Sequence, residues 1–543
     1  MLQAALLAAI VVIGGVVRFW GLGFGLPHTQ ARPDETFLID LARSFLRGDF
    51  FPTFYDYPWL YGWLLTGLYL GYYVWGRLFG FFHSIPDLLA SWPVHWEPWF
   101  LIDRALSASA GTASILVVFW IGRRIWNVST GLVAAFLLSV AFLHVRDSHF
   151  GTTDITMTML VTVSAGLIVD AHLTRRPGRF ALAGLVGGLA AATKYNALML
   201  AAPIIASQVL AVIELPRQRL RTPLDARLVL FGAAFAAAFA IGVPFVFLDR
   251  ERFLSAMEVL GGSMATGSPG LGLGNGWLHH LQFSLRYGLG LPFLIAGLAG
   301  AAAILIVEPA IGALLLSFPL AYYAAAGSIR NLFFRYAIPV VPFLCLTAAW
   351  LICRAARYIA SSATSATSAF SRPRYAVVAA VLAVLIAAPS AISIWQFNRI
   401  ISETDNRVMV ARWFTEHVPP GHSVLQSGSS FGYVQLDGRM QYKFWVWDRS
   451  RRVFTYGGVP PVGPPDWILV QDSPIPGAIQ DVVKDYLRQD YVLAQQFTAL
   501  SLPDETRLYD RQDAFFVPFA GFHRVQRPGP NFLLYKRADV PAS

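Results

Sequence analysis

Charge is what the sequence is shortest of. Of 543 residues only 14% are Asp, Glu, Lys or Arg, while 55% are hydrophobic; soluble domains carry roughly a quarter charged residues, so a single water-exposed globule is excluded. Cysteine is nearly missing. Cys345 and Cys353 lie in one apolar run, about 12 Å apart along a helix, too far to pair with each other. The formal charge is +10, but no basic cluster forms a nucleic-acid-binding surface, so nucleic acid is not a partner. The excess fits cytoplasmic loops and sites for anionic lipid or phosphate. Zinc-type His/Cys spacing, solenoid repeats and matched pairs of interrupted helices are absent as well.

Long apolar runs are what is there. Eleven read as membrane spans: 4–20, 105–122, 131–145, 155–172, 181–193, 196–213, 228–248, 288–307, 311–326, 334–353 and 375–395, each near the length needed to cross about 30 Å of hydrocarbon. The first has neither a basic leader nor a small-residue cleavage site, so it reads as an uncleaved signal anchor. With the N-terminus inside, the inner connections hold 13 Lys/Arg and the later outer ones seven. That asymmetry predicts a cytoplasmic start and an outside tail; Arg18, at the outer end of the first span, runs against it.

The expected organisation is a multi-span body over 1–396, with a large first outer loop of about 21–103, and a soluble extracytoplasmic domain over 397–543. Within that loop, 57–75 is rich in Tyr and Trp with Pro58 near its start. It reads as an amphipathic helix at the outer interface, the alternative being a crossing paired with a second near 86–101. A Ser/Ala/Thr-rich stretch at 361–371 reads as an inner linker. The tail alternates helical patterns (406–417, 478–488) with short strands (423–426, 467–470, 532–535), which predicts a small α/β domain. It shows no catalytic signature.

Four places in the body can carry chemistry. Asp34 and Glu35 follow Arg32-Pro33 soon after the first span; a carboxylate beside the bilayer can deprotonate a hydroxyl, and Asp34 can equally cap a helix. His144, Arg146, Asp147, His149 and Asp154 crowd a short outer connection, where ionisable groups are costly and so suggest function. A solvated loop explains part of this cluster equally well. Lys194 sits in Ala-Ala-Thr-Lys-Tyr-Asn between apolar runs, where an ammonium can bind a phosphate or snorkel to headgroups. Arg330 and Arg335 flank Asn331-Leu332-Phe333-Phe334, and two guanidinium groups can chelate an anion.

Taken together, Asp34-Glu35, the Tyr57-Pro58-Trp59-Leu60 opening of the aromatic helix, the stretch from Arg104 through Arg123-Arg124 to Ser148-His149 and Thr153-Asp154, Ala192-Thr193-Lys194-Tyr195-Asn196, and Arg335-Tyr336 followed by Pro339 and Pro342 resemble the GT-C membrane glycosyltransferases. Within that group the likeness is to dolichyl-phosphate-mannose protein mannosyltransferases and to the bacterial aminoarabinose transferase of lipid A. The resemblance covers about residues 1–350. It implies a mainly α, polytopic GT-C bundle in the plasma membrane that takes a sugar from a polyprenyl-phosphate donor to a hydroxyl of a lipid, glycan or protein on the non-cytoplasmic face, with inversion.

Carried over, Asp34 is the base or an acceptor-orienting group, supported by Glu35. Asp154 and His149 shape the sugar or acceptor pocket, and Lys194 binds the donor phosphate with Arg335 as a further ligand; Arg330 and Tyr57 are further substrate-binding candidates. Asp34 and Lys194 are expected to converge on one cavity at the outer rim. The group is not expected to need a nucleotide-sugar metal site, so no metal or other cofactor is assigned. A transporter or flippase of lipid-linked saccharides is the competing class, although such proteins place charges at the bilayer midplane rather than at span ends.

Overall fold

In a computed structural model, the chain is described except for residues 51–54, 93, 215–225, 268–271, 363–370, 429, 437–440, 445, 449–450, 452, 456–458, 460–462, 474, 476–486, 488–489, 502–505, 514 and 541–543. The expected inner arginines at 217, 219 and 221, most of the 361–371 linker and nearly all of the 478–488 helix lie outside the described residues. By internal packing the chain divides into two units. The first is Met1–Trp20 with Phe37–Ile394, and the second is Gly21–Thr36 with Trp395–Ser543. The opening of the first loop, with Asp34 and Glu35, thus groups with the tail rather than with the body.

The first unit is helical. Among the described residues, seven helices are long and apolar enough to cross a membrane, or eight if the bent pair Gly276–Leu289 and Leu291–Val307 is one span. Val128–Ser139 and Ala226–Gly242 are shorter apolar helices. Helix Leu60–Leu78, over the aromatic segment, is not among the long apolar set. It buries Tyr61, Leu65 and Tyr69 on one face and exposes Leu64, Leu68 and Trp75 on another, so both faces carry apolar side chains.

Three expected spans are interrupted, each for a local reason. Residues 131–145 break after Ser139 and resume as Phe142–Asp147, because Arg18 donates to the carbonyls of Leu138 and Ser139 at 2.9 and 3.2 Å, and the Phe142 amide donates to Ser390 Oγ at 2.8 Å. The orphan groups of the broken helix are thereby satisfied. Residues 228–248 stop at Gly242 before Pro244, which cannot extend the backbone ladder, and resume at Phe245–Leu248. Residues 288–307 turn at Gly290, whose φ of +85° suits glycine, and the helices on either side meet at 114°.

Small residues let these helices approach. A Cβ on Gly184 or Gly188, one turn apart, would strike the backbone of Phe231 or Phe235 on helix Ala226–Gly242. Between apolar helices, where lipid offers no hydrophobic drive, such close backbone contact replaces it.

In the second unit, helix Asn406–His417 covers a five-stranded sheet in the order β2-β1-β5-β7-β6, with β1 (Ser423–Ser427), β2 (Gln441–Phe444), β5 (Trp467–Asp472), β6 (Tyr491–Phe497) and β7 (Asn531–Arg537). A separate antiparallel ribbon joins β3 (Val446–Asp448) and β4 (Val453–Thr455). Strand β1 pairs in parallel with β2 and β5, whereas β7 runs antiparallel to β5 and β6. Alternate side chains split between two faces, as the pleat requires. Val424, Trp467, Leu469, Phe532 and Leu534 pack under Val410 and Phe414, while Leu425, Ile468 and Val470 form the opposite core.

Candidate active site

Lys194 follows the last residue of helix Pro177–Thr193 in an extended conformation, φ −155° and ψ 130°, before the short helix Tyr195–Leu200. Leaving the helix there frees its side chain from the helix surface, and Nζ donates to Asp154 Oδ1 at 2.6 Å. Asp154 lies in the first turn of helix Thr153–Thr174, where the helix dipole favours an anion. Both side chains are at least nine-tenths buried, at 10% and 3% exposure. The ammonium also stands 5.3 Å from the Tyr336 ring centroid, a cation–π distance. Tyr336 belongs to the turn Phe334–Val340, where Arg335 is buried with its guanidinium 4.4 Å from the Phe333 ring. Arg330 is exposed and its amide donates to Met264 O at 3.0 Å. The two arginines thus differ in environment.

The cluster after His144 is no solvated loop. His144, Arg146, Asp147, Ser148 and His149 are all buried. Arg146 pairs with Asp147 at 3.0 Å, and Ser148 Oγ donates to His144 O at 2.6 Å. His149 sets its two ring nitrogens on the carbonyls of Val145 and Trp20, at 2.9 and 3.0 Å. Arg18, expected as a topological exception, is fully buried; besides the Leu138 and Ser139 carbonyls it meets Gly14 O at 2.8 Å and His144 Nδ1 at 3.1 Å. Its charge belongs to internal packing, which explains why it violates the loop-charge pattern.

Tyr57 is half-buried beside an aromatic cluster in which Tyr55, Trp59 and Phe245 lie 4.2 to 5.9 Å apart. Tyr55 donates to Asp249 Oδ2 at 2.5 Å, and Tyr61 donates to Asp103 Oδ1 at 2.8 Å. Neither tyrosine–aspartate pair was legible in the sequence, since 194 and 42 positions separate the partners. Tyr336 was missed as a neighbour of Lys194 for the same reason, although Arg335-Tyr336 stood out as a motif.

The second unit separates the two adjacent carboxylates. Helix Pro33–Leu46 starts at Pro33, the favoured first-turn place for proline, so Asp34 lies inside the first turn instead of capping it. Glu35 is fully buried, while the Asp34 side chain is 27% exposed. Arg32, 1% exposed, donates to buried Asp513 and has its other terminal nitrogen 3.7 Å from Asp34 Oδ2. Nearby in the same unit, Arg407 grips Asp405 through Nε and Nη2 at 2.9 and 2.7 Å. Burial alone would raise the Asp405 carboxyl, but Arg407 pulls it below the usual carboxylate range. His28 accepts from the Gln30 amide at Nδ1 and donates from Nε2 to Tyr433 O at 2.8 Å. Burial, reinforced by the Arg407 charge, pushes its pKa down to about 3.

Among the described residues no three His, Cys, Asp or Glu side chains gather as a metal site.

Residues 103–243 match the dolichyl-phosphate-mannose-protein mannosyltransferase family profile. The chain is similar in structure to ArnT from Cupriavidus metallidurans in the apo state, with 13% identity, 99% of each chain covered and a TM-score of 0.54. ArnT bound to undecaprenyl phosphate gives 13% identity, 91% and 96% coverage and 0.49. The Archaeoglobus fulgidus oligosaccharyltransferase gives 14% identity and 0.49 over 78% of this chain, which spans 62% of that protein's length. No curated protein sequence matches the chain. The chain therefore has the fold of the GT-C membrane glycosyltransferases, with residues 103–243 matching their dolichyl-phosphate-mannose-protein mannosyltransferase family.

Proposed function

We propose that the protein is an integral membrane glycosyltransferase that moves a sugar from a polyprenyl-phosphate donor to a hydroxyl acceptor on the non-cytoplasmic face, with the N-terminus in the cytoplasm and the sheet domain outside. The observation that carries this reading is the buried Lys194–Asp154 pair under Tyr336. An ammonium kept out of water by apolar helices is poised for an anion, and the matched family takes its name from a sugar-phosphate lipid. A lysine, as a compact and rotatable point charge, can turn from a carboxylate to a phosphate without rebuilding the site.

In the proposed reaction the acceptor oxygen forms a bond to the anomeric carbon as the bond from that carbon to the phosphate oxygen breaks. The phosphate keeps the electron pair and Lys194 neutralises it, with Arg335 and Arg330 as further phosphate ligands. The acceptor proton passes to Asp34, the exposed member of its pair, with buried Glu35 supporting the first turn. Asp154 fixes Lys194 before the donor arrives, while His149 and Tyr57 shape the pocket. A single displacement of this kind inverts the anomeric carbon and needs no covalent sugar–enzyme intermediate.

The test is chemistry in detergent: purified protein, labelled polyprenyl-phosphate sugar and a mixture of lipid, glycan and peptide acceptors. Transfer of label, with inverted linkage by NMR, is the expected outcome. Donor movement across vesicles without any product would instead support the flippase class.

A further inference from the structure

Helices Thr153–Thr174 and Pro177–Thr193 pack against each other, and Ser164 Oγ donates to Ala183 O at 2.8 Å between them. The Lys194–Asp154 pair closes one end of this helix pair. A second ionic rung closes the other. Asp170, 3% exposed, takes Arg124 Nε on Oδ1 at 2.5 Å and the Arg179 guanidinium on Oδ2. A rise of 1.5 Å per residue puts Asp170 about 24 Å along the helix from Asp154. A donor phosphate held by Lys194 does not reach it.

This end of the helices carries more cations than acids. Arg124 uses only Nε on Asp170, which leaves its two terminal nitrogens as donors. Arg123 precedes it at the end of helix Glu97–Ile125, and Arg175 and Arg176 form the turn between the two packed helices. All three are exposed. Arg175 stands 3.8 Å from Glu214, a carboxylate that also has His172 at 3.5 Å. Arg123 and Arg176 pair with no acid among the described residues. Asp170 and Glu214 thus leave a positive surplus here.

The neighbouring side chains decide which anion that surplus fits. Leu182 and Leu185 are exposed on helix Pro177–Thr193, and Leu116 is exposed on helix Glu97–Ile125. Leu182 lies three positions from Arg179 and Leu116 seven from Arg123, spacings that share one helix face. Each face therefore runs from a guanidinium at its end to bare leucine along the next turns. A free phosphate gains nothing from the leucines, whereas a phospholipid offers an anionic head above an apolar chain. We propose that the arginines around Asp170 bind the headgroup of an anionic phospholipid, with an acyl chain lying against Leu182 and Leu185. Asp170 holds two guanidinium forks on one carboxylate before the lipid arrives, which lowers the ordering cost of gripping a phosphate. On the orientation proposed above this is the cytoplasmic leaflet, and the site is independent of sugar transfer.

The experiment maps the lipid directly. Full-length protein in detergent is mixed with phosphatidylglycerol carrying a diazirine in its acyl chain, or with phosphatidylcholine carrying the same label, and irradiated. Adducts are located by mass spectrometry. Phosphatidylglycerol is expected to label segments 116–124 and 173–185 at least about fivefold more than phosphatidylcholine does. Arg123→Gln with Arg176→Gln strands no buried acid and should lower the phosphatidylglycerol yield there about fivefold or more. Removing the rung as a unit, by Arg124→Gln, Arg179→Gln and Asp170→Asn together, should lower it at least about tenfold. Arg250→Gln with Arg252→Gln takes two charges from another helix and should leave the yield unchanged.

Equal labelling by the two lipids, an unchanged yield in Arg123→Gln with Arg176→Gln, or the same loss in Arg250→Gln with Arg252→Gln would overturn the proposal. Should the rung variant fail to fold, the Arg123 and Arg176 pair decides alone. Soluble glycerol phosphate is the remaining arm. If it abolishes labelling at the same concentration as the lipid, the arginines take a free phosphate and the lipid site falls.

Discussion

The two units each bury an ion-paired cation beside an acid, and they do it differently. In the helical unit Lys194 and Asp154 form a closed pair, both side chains almost wholly buried at 2.6 Å. In the sheet-containing unit Arg32 serves two acids, one buried and one partly open. A lone lysine–aspartate pair is neutral and can exchange its anion as a unit. Arg32 donates to Asp513 and has its other terminal nitrogen 3.7 Å from Asp34, so one guanidinium faces two carboxylates. The two cations thus differ in how many acids each faces and in how far those acids are closed off from water.

That contrast can be broken from either side. The largest effect is expected for Asp34→Asn, which keeps the shape of the side chain but cannot take a proton. Transfer should fall about 10²- to 10⁴-fold, the range of general-base catalysis, with expression and melting temperature close to wild type. A fall of less than about threefold would end the assignment of the base to this residue.

Next comes Lys194→Met. Because the ammonium is paired with a buried acid, its loss strands Asp154 and should destabilise the protein by about 3–5 kcal/mol. The double variant Lys194→Met with Asp154→Asn removes both charges and should regain most of that stability in denaturant unfolding. Donor affinity should nevertheless stay at least about tenfold weaker than wild type in the double variant, since a charge-assisted phosphate contact is gone. Recovery of donor affinity along with stability would mean that Lys194 is structural only.

The smallest effect concerns His28, which sharpens the comparison by probing the sheet-containing unit without touching its acids. Its folded pKa of about 3 lies below the 6.5 of an unfolded histidine. Between those values the unfolded chain binds the extra proton, so stability is full above about pH 7 and is lost as pH falls. At pH 5 the penalty is about 2 kcal/mol. His28→Gln should flatten this part of the pH dependence of the unfolding midpoint between pH 7 and 5. An equally steep dependence in the variant would assign it to other groups.

What the sequence determined by itself is what short-range pattern controls. Each of the eleven apolar segments became helical, because burying a backbone in hydrocarbon or packed protein leaves no other way to satisfy its polar groups. The strands at 423–427, 467–472 and 531–537 and the helix at 406–417 came from local alternation and capping. Lys194, Asp154 and the Asp34–Glu35 pair stood out because charge is rare among such neighbours.

Only the tertiary structure decided partners and exposure. It tied Lys194 to Asp154 across 40 positions and Arg32 to Asp513 across 481, and it buried Glu35 while leaving its neighbour Asp34 partly open. It also turned Arg18 and His149 into internal clasps of the helical unit. Sequence patterns have the period of a helix or strand, about two to four residues. Electrostatic pairing depends on distance in space and on exclusion of water, and neither is written in any window of the chain.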